Sequence, residues 1–291
     1  MMDSTDNSQS VADVQFAPLA RTIIKITGSD RAAFLHNFST NDIVKMQPGD
    51  RCEAFITSVQ GKTLGHVVVY CVEEALVLVT ADGQQETLIN HLDRYIIMED
   101  VELENCSGIA STWLLFGEGI PSVVSELNGV EFMSPYGYCG ETCQLLLGDA
   151  STAESLEQLQ VREASSDQIE TLRLEAGFVE FGVDVTEANL PQEVARDAIA
   201  ISFTKGCYLG QETVARIDAL GHVNWLMRTM TGIGLASLNA GDEIAGDDGK
   251  KIARLTSCSN ASDPNQKIAL GYVHKDFAES GATIADGIQV A

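Results

Sequence analysis

After Trp225 the chain changes texture, and that change limits the folds open to it. Short apolar runs alternate with turns rich in glycine and aspartate: Gly241-Asp242, Gly246-Asp247-Asp248-Gly249 and Asp263-Pro264-Asn265. This is the pattern of a small antiparallel barrel or sandwich. Upstream the pattern is mixed. Arg21 to Ile26 reads as a strand and Gly28-Ser29-Asp30 as a turn. Ser29 or Asp30 then caps a helix with Ala33, Phe34 and Phe38 on its apolar side. Strands from Val67 to Val72 and from Leu76 to Thr80 flank a Glu73-Glu74 turn, as in a hairpin. An amphipathic helix is expected from Gln84 to Ile97, burying Leu88, Leu92, Tyr95 and Ile96. Trp113 to Phe116 and Gln144 to Leu147 read as buried strands; Ala153 to Val161 and Asp167 to Ala176 read as helices. Ser165 stands three residues before Gln168 as a capping box, and Gly177 is the stop. The class is α+β with an all-β C-terminal unit.

Length and charge narrow the function. At 291 residues the chain suits two or three packed units. No apolar run approaches the ~20 residues of a membrane-spanning helix. The start, Met1 to Ala12, is acidic and polar, unlike a secretion signal or a transit peptide, and is expected to be a disordered tail. Seven scattered cysteines without a CxxC pair fit reduced thiols in a cytosol better than a disulfide framework. The formal charge of −24 opposes non-specific nucleic-acid binding, and an anionic ligand would need local positive groups.

One segment carries chemistry: Phe203-Thr204-Lys205-Gly206-Cys207-Tyr208-Leu209-Gly210-Gln211-Glu212, directly before a helix running to Gly221. A cysteine near a helix N-terminus and beside an ammonium favours the thiolate, the reactive and metal-binding form. Redox sensing, transient iron or cluster ligation and nucleophilic attack are its open roles. Nucleophilic attack is the weakest, since no nearby histidine supplies a base. Gly206 and Gly210 let the backbone approach a ligand or a neighbouring segment, or simply meet turn geometry. Lys205 meets an anionic group or the thiolate, Tyr208 stacks on a ring or joins the core, and Glu212 and Arg216 are spaced for an i,i+4 pair. Cys139 and Cys143 lie in a loop without a second ligand pair, so a structural zinc site is not expected. The five histidines show no metal spacing, and there is neither a P-loop nor a GxGxxG after a strand.

The lysine–cysteine segment is similar to the signature of the YgfZ family, folate-binding relatives of the glycine-cleavage T-protein (aminomethyltransferase). Further blocks agree: Gly28 to Leu35, Ser39-Thr40-Asn41-Asp42-Ile43, Gly61-Lys62 with the strand from Val67 to Tyr70, Leu174-Glu175-Ala176-Gly177, Gly182-Val183-Asp184 and Leu190-Pro191-Gln192-Glu193. The resemblance implies three subdomains around a central cavity for tetrahydrofolate or a derivative, with a C-terminal β-barrel. It divides the chain into an acidic tail (1–15), a folate-binding T-protein-like α+β region of two subdomains (16–225) and the barrel (226–291). By resemblance Glu175 holds the pterin, since a carboxylate can accept two parallel hydrogen bonds from an aminopyrimidinone edge. Lys205, Gly206 and Tyr208 join it in cofactor binding, and Cys207 is the functional thiol. One departure matters. Aminomethyltransferases carry an acidic pair where this chain has Leu64-Gly65-His66. Aminomethyl transfer is therefore not expected, although His66, otherwise a strand-end histidine, is able to handle protons.

The implied function is a cytoplasmic folate-binding accessory for iron–sulfur cluster assembly or repair in client enzymes, including those that modify transfer RNA. Its partners would be those clients or assembly proteins, with no direct nucleic-acid or membrane contact. A folate-dependent one-carbon transferase and a scaffold retained for partner binding are the alternatives.

Overall fold

A computed structural model of the chain describes residues 13–221, 223–246, 249–260, 266–285 and 287–291. The acidic tail up to residue 12, the Asp247-Asp248 and Asp263-Pro264-Asn265 turns and His222 lie outside the described residues. In chain order the strands are β1 (Gln15–Pro18), β2 (Arg21–Thr27), β3 (Arg51–Thr57), β4 (Thr63–Val72), β5 (Ala75–Ala81), β6 (Glu102–Asn105), β7 (Ser111–Phe116), β8 (Val130–Pro135), β9 (Gln144–Gly148) and β10 (Arg162–Glu163). The C-terminal strands are β11 (Trp225–Thr231), β12 (Glu243–Ala245), β13 (Lys251–Cys258), β14 (Ile268–His274), β15 (Thr283–Ala285) and β16 (Ile288–Val290). They form three sheets, and the chain divides into two compact units that each draw on separated stretches.

The first unit comprises the chain up to Ala20 and Gly108–Phe178. Its sheet runs β10-β1-β7-β9-β8 and buries Trp113, Leu115, Leu146 and Leu156. The helix Ser166–Glu175 begins as its sequence requires, with the Ser165 hydroxyl accepting the Gln168 N–H, and Gly177 closes it at φ 62°. The helix expected from Ala153 spans Ala150–Gln158 instead, because Asp149 caps it by accepting the Ser151 N–H.

The second unit comprises Arg21–Ser107 and Val179–Ala291 and holds two sheets. One runs β3-β4-β5-β2-β6, with the expected hairpin between β4 and β5. Ile24, Ile26, Ala54, Ile56, Val67, Val69, Leu76 and Leu78 make one face of it apolar, against Leu88 of the helix Gln85–Asp93. That helix is shorter than the spacing predicts. Its last turn ends at Asp93, yet Tyr95 and Ile96 still pack beside Phe34 and Phe38 through the following turns. The first helix is also short, Arg31–His36, leaving Ala33 exposed. Asp30 stands at its N-cap, but the Asp30 carboxylate accepts the Asp100 N–H rather than capping the helix.

The C-terminal strands form the expected all-β unit, a six-stranded antiparallel sheet in the order β12-β13-β14-β11-β16-β15 that curls into a near-closed barrel. Met230, Leu255, Val273 and Ile288 are in its core. Asp184 ties the preceding segment to this barrel. Its Oδ1 accepts hydrogen bonds from Thr256 (2.6 Å) and Ser257 (2.7 Å), and its Oδ2 accepts the Glu180 N–H at 2.9 Å. Adjacent strand residues normally point to opposite faces. A register shift between Leu255 and Ser257 lets both hydroxyls reach one oxygen. Gly271 opposes that bulge, and a Cβ there would lie 2.4 Å from the Arg254 carbonyl oxygen.

Candidate functional site

The loop from Phe203 to Gly210 lies in the second unit and is held at several points. Lys205 Nζ donates to the carbonyls of His36 (2.5 Å), Ser39 (2.6 Å) and Asn41 (2.9 Å). An ammonium has three protons, so this lysine is fully used. Burial pulls it down to about 8, opposed by the Asp42 carboxylate. The sequence expectation had the ammonium beside Cys207. The fold turns it instead under the Ser39–Asp42 turn, 4.9 Å from the Tyr208 ring centroid. Leu209 N–H donates to the Asn37 carbonyl at 2.8 Å, and Thr57 Oγ1 donates to the Leu209 carbonyl at 2.6 Å. Tyr208 N–H donates to Gln211 Oε1 at 3.1 Å, and burial pushes the half-buried Tyr208 phenol up to about 12.

Of the two loop glycines, geometry demands only one. Gly210 has φ +83°, and a Cβ on it would lie 2.3 Å from the Ser58 carbonyl oxygen and 2.9 Å from the Gly61 Cα. Gly61 is left-handed too, and its own Cβ would lie 2.8 Å from the Gly210 carbonyl oxygen. Two sequence blocks therefore meet backbone to backbone. A Cβ on Gly206 would approach nothing nearer than His36 Nε2 at 3.6 Å. Cys207 is exposed on this anchored loop, four residues before the helix Gln211–Leu220 begins. Phe203, at the start of the loop, is 48% exposed.

A buried charged network flanks the loop's anchor and escaped the sequence reading. On β3, Glu53 faces the Arg196 guanidinium and the His66 ring. Arg196 donates from Nε to Oε2 (2.7 Å) and from Nη2 to Oε1 (2.6 Å), and His66 Nε2 lies 3.0 Å from Oε2. Burial alone would raise the Glu53 carboxyl, but the hydrogen bonds and charges of His66 and Arg196 hold it well below the usual carboxylate range. Asn41 joins the network to the loop by donating from Nδ2 to the carbonyls of Glu53 and Ile199, both at 2.8 Å. His66 is a buried mid-strand residue on β4 whose ring lies 5.3 Å from Phe55, not a strand-end histidine. Gly65 faces the opposite way, since a Cβ there would lie 3.0 Å from Leu88 Cδ2. The available signal was a charged residue, Glu53, directly between Cys52 and the apolar run Ala54-Phe55-Ile56.

Glu175 belongs to the first unit. It is the exposed last residue of the helix Ser166–Glu175. Arg173, two residues earlier, is buried and donates to both oxygens of Glu170 and to the Phe178 carbonyl, which fixes the helix end. A cavity of about 600 Å³ in this unit is lined by Tyr138, Ser166, Ile169 and Glu170. Cys139 and Cys143 sit in the loop before β9, where a thiol hydrogen bond from Cys139 lowers the Cys143 thiol against the effect of burial. Among the described residues no cluster of three or more His, Cys, Asp or Glu side chains is arranged to hold a metal ion, and no helix is long and apolar enough to cross a membrane.

Residues 6–135 match the model of the GCVT N-terminal domain. The fold agrees. The crystal structure of glycine-cleavage aminomethyltransferase T from Bartonella henselae superposes with a TM-score of 0.83 over 97% of this chain and 86% of that one, at 17% identity. The chain therefore has the aminomethyltransferase fold. In sequence it is similar to a chloroplastic protein of Arabidopsis thaliana with a provisional transferase name, at 25% identity over 100% of this chain and 71% of the relative. It is also similar to the tRNA-modifying protein YgfZ of Aliivibrio fischeri, at 24% identity over 88% of this chain and 84% of the relative. The expected resemblance holds in sequence for YgfZ proteins and in fold for the glycine-cleavage T-protein.

Proposed function

We propose that this protein binds a reduced folate and acts as a cytoplasmic accessory for assembling or repairing iron–sulfur clusters in client enzymes, tRNA-modifying enzymes among them. The observation carrying this reading is an exposed thiol, Cys207, on a loop held by Lys205, Leu209 and the contact between Gly61 and Gly210. Such a loop keeps its sulfur accessible without letting it collapse into apolar packing. Glu175 suits the pterin role: its exposed carboxylate at a fixed helix end is open to two parallel hydrogen bonds from an aminopyrimidinone edge. Lys205, by holding the shape of its own loop, and the neighbouring Gly206 and Tyr208 would contribute to cofactor binding. The bound cofactor would supply one-carbon chemistry. The similarity to YgfZ proteins supports the link to tRNA modification.

The one-carbon transferase reading has one observation in its favour, the Glu53–His66 pair, which is able to hold and move a proton at His66 Nε2. Against it, Arg196 occupies both oxygens of the Glu53 carboxylate. The deciding experiment is complementation of cells lacking the endogenous protein with wild type or Cys207→Ser, reading cluster-enzyme activity and thiolated tRNA. The accessory reading expects loss of rescue with Cys207→Ser at equal protein level. Full rescue removes it.

A further inference from the structure

The loop before β9 carries Cys139 and Cys143, and its backbone folds to bring them together. Tyr136 N–H donates to the Cys143 carbonyl at 2.8 Å, which closes the base of the loop. Inside it, Cys143 N–H donates to the Gly140 carbonyl at 3.2 Å. Gly140 has φ 98° and ψ −179°, a region open essentially only to glycine, and this turn returns the chain so that Cys143 lies beside Cys139. Aromatic packing fixes the same loop. Tyr136 and Tyr138 are buried with ring centroids 6.0 Å apart, and they lie 5.3 Å and 5.0 Å from the Phe178 ring. None of these contacts involves a sulfur, so the loop keeps its shape whatever the sulfurs do.

Contact and exposure distinguish this pair from cysteines that merely pack. The Cys139 thiol hydrogen-bonds to the Cys143 sulfur, with the Cys139 N–H in support, and holds the Cys143 thiol below its usual value against burial. Such a thiol passes more readily to the thiolate, the form that attacks disulfides. Two thiols already in hydrogen-bond contact need little backbone movement to bond to each other. Their access differs: Cys139 is half-buried, whereas Cys143 is fully buried. A Cβ built on Gly137 or Gly140 would meet nothing within 4 Å, so a small reagent can approach the loop at Cys139. Among the described residues no third His, Cys, Asp or Glu completes a metal cluster here, which leaves chemistry between the two sulfurs.

We propose that Cys139 and Cys143 form a redox-active pair that exchanges with low-molecular-weight disulfides of the glutathione type. The Cys139 sulfur attacks glutathione disulfide; its S–S bond breaks, and the first glutathione leaves as a thiolate that takes up the Cys139 proton. The Cys143 sulfur then attacks Cys139 in the mixed disulfide, the internal S–S bond forms, and the second glutathione leaves with the Cys143 proton. Two protein thiols are oxidised and one glutathione disulfide is reduced to two thiols. The proposal does not rest on the folate reading. To test it, the reduced full-length protein is equilibrated anaerobically at neutral pH with mixtures of oxidised and reduced glutathione, alkylated, and cleaved after glutamate. Glu141 lies between the cysteines, so fragments 132–141 and 142–154 travel together in mass spectrometry only when the disulfide has formed. They should be linked at high oxidised glutathione and separate when reduced glutathione is restored. Half-oxidation of the native protein should occur at a value of [GSH]²/[GSSG] at least about tenfold higher than for the urea-unfolded chain, because the fold already pairs the sulfurs. Cys143→Ser should stop at a mixed disulfide on fragment 132–141, and Cys139→Ser should leave the buried Cys143 unmodified. Unlinked fragments throughout the series, a native midpoint equal to or below the unfolded one, or no mixed disulfide in a Cys143→Ser protein that circular dichroism shows to be folded overturns the proposal. The wild-type linkage and midpoint decide it even where a variant misfolds.

Discussion

Replacing Glu53 with glutamine tests the buried network in the most quantitative way. Glu53 is 9% exposed, and its two oxygens take three contacts from Arg196 and His66. Glutamine keeps the shape but removes the charge and turns an NH₂ group toward a guanidinium. Breaking a buried pair by removing one partner costs about 3–5 kcal/mol, because the other charge remains uncompensated. For a unit of roughly 150–250 residues each kcal/mol moves Tm by about 2–4 °C, so the transition should fall by about 10 °C. The pH dependence is more specific. The native Glu53 carboxyl is depressed, so its stabilisation is fully present above the unfolded value near 4.5 and is lost progressively as pH falls below it toward the native value. As pH falls from about 4.5 to 3 the wild type should lose up to about 1.4 kcal/mol per pH unit more than Glu53→Gln, with no difference in slope above that window. Urea unfolding at several pH values measures that difference. Parallel pH profiles for the two proteins would refute the account of the network.

Gly210→Ala must place a Cβ 2.3 Å from the Ser58 carbonyl oxygen at positive φ, whereas Gly206→Ala meets nothing within 3.5 Å; thermal melts should show a loss of at least ~2 kcal/mol for the first and near-neutrality for the second. Asp184→Ala removes the carboxylate to which Thr256, Ser257 and the Glu180 N–H donate, and should destabilise the protein by about 3 kcal/mol in denaturant titration. Brief iodoacetamide treatment of the native protein should label Cys207 ahead of Cys143, which is buried, and of Cys52, whose thiol burial pushes up to about 12; mass spectrometry gives the order, and early labelling of Cys52 would contradict the structure.

Much of this fold was legible because its signals are local. The β4–β5 hairpin follows from two apolar runs around Glu73-Glu74, and the helix ending at Glu175 from Ser165 and Gly177. The apolar stripe from Leu88 to Ile96 marked Leu88 and Leu92 as buried but overstated the helix, since consecutive turns after Asp93 carry the half-buried Tyr95 and Ile96 to the same cluster as Leu92. Long-range pairings left no local trace. Nothing in the neighbourhood of Lys205 indicates that its ammonium will close on carbonyls more than 160 residues earlier. Likewise Glu53, Arg196 and the hydroxyls around Asp184 find one another only through the tertiary fold. The contact between Gly61 and Gly210 shows why two distant glycines are needed, something neither motif reveals by itself.

Folate capture through Glu175 is the central consequence of the proposed function. Calorimetric titration of the purified full-length protein with tetrahydrofolate under anaerobic conditions should give saturable one-site binding. Glu175→Ala, which removes charge-assisted hydrogen bonds of about 1.5–3 kcal/mol each, should weaken it by roughly ten- to a hundredfold or more. An absence of saturable binding, or equal affinity in the variant, would contradict the proposed function.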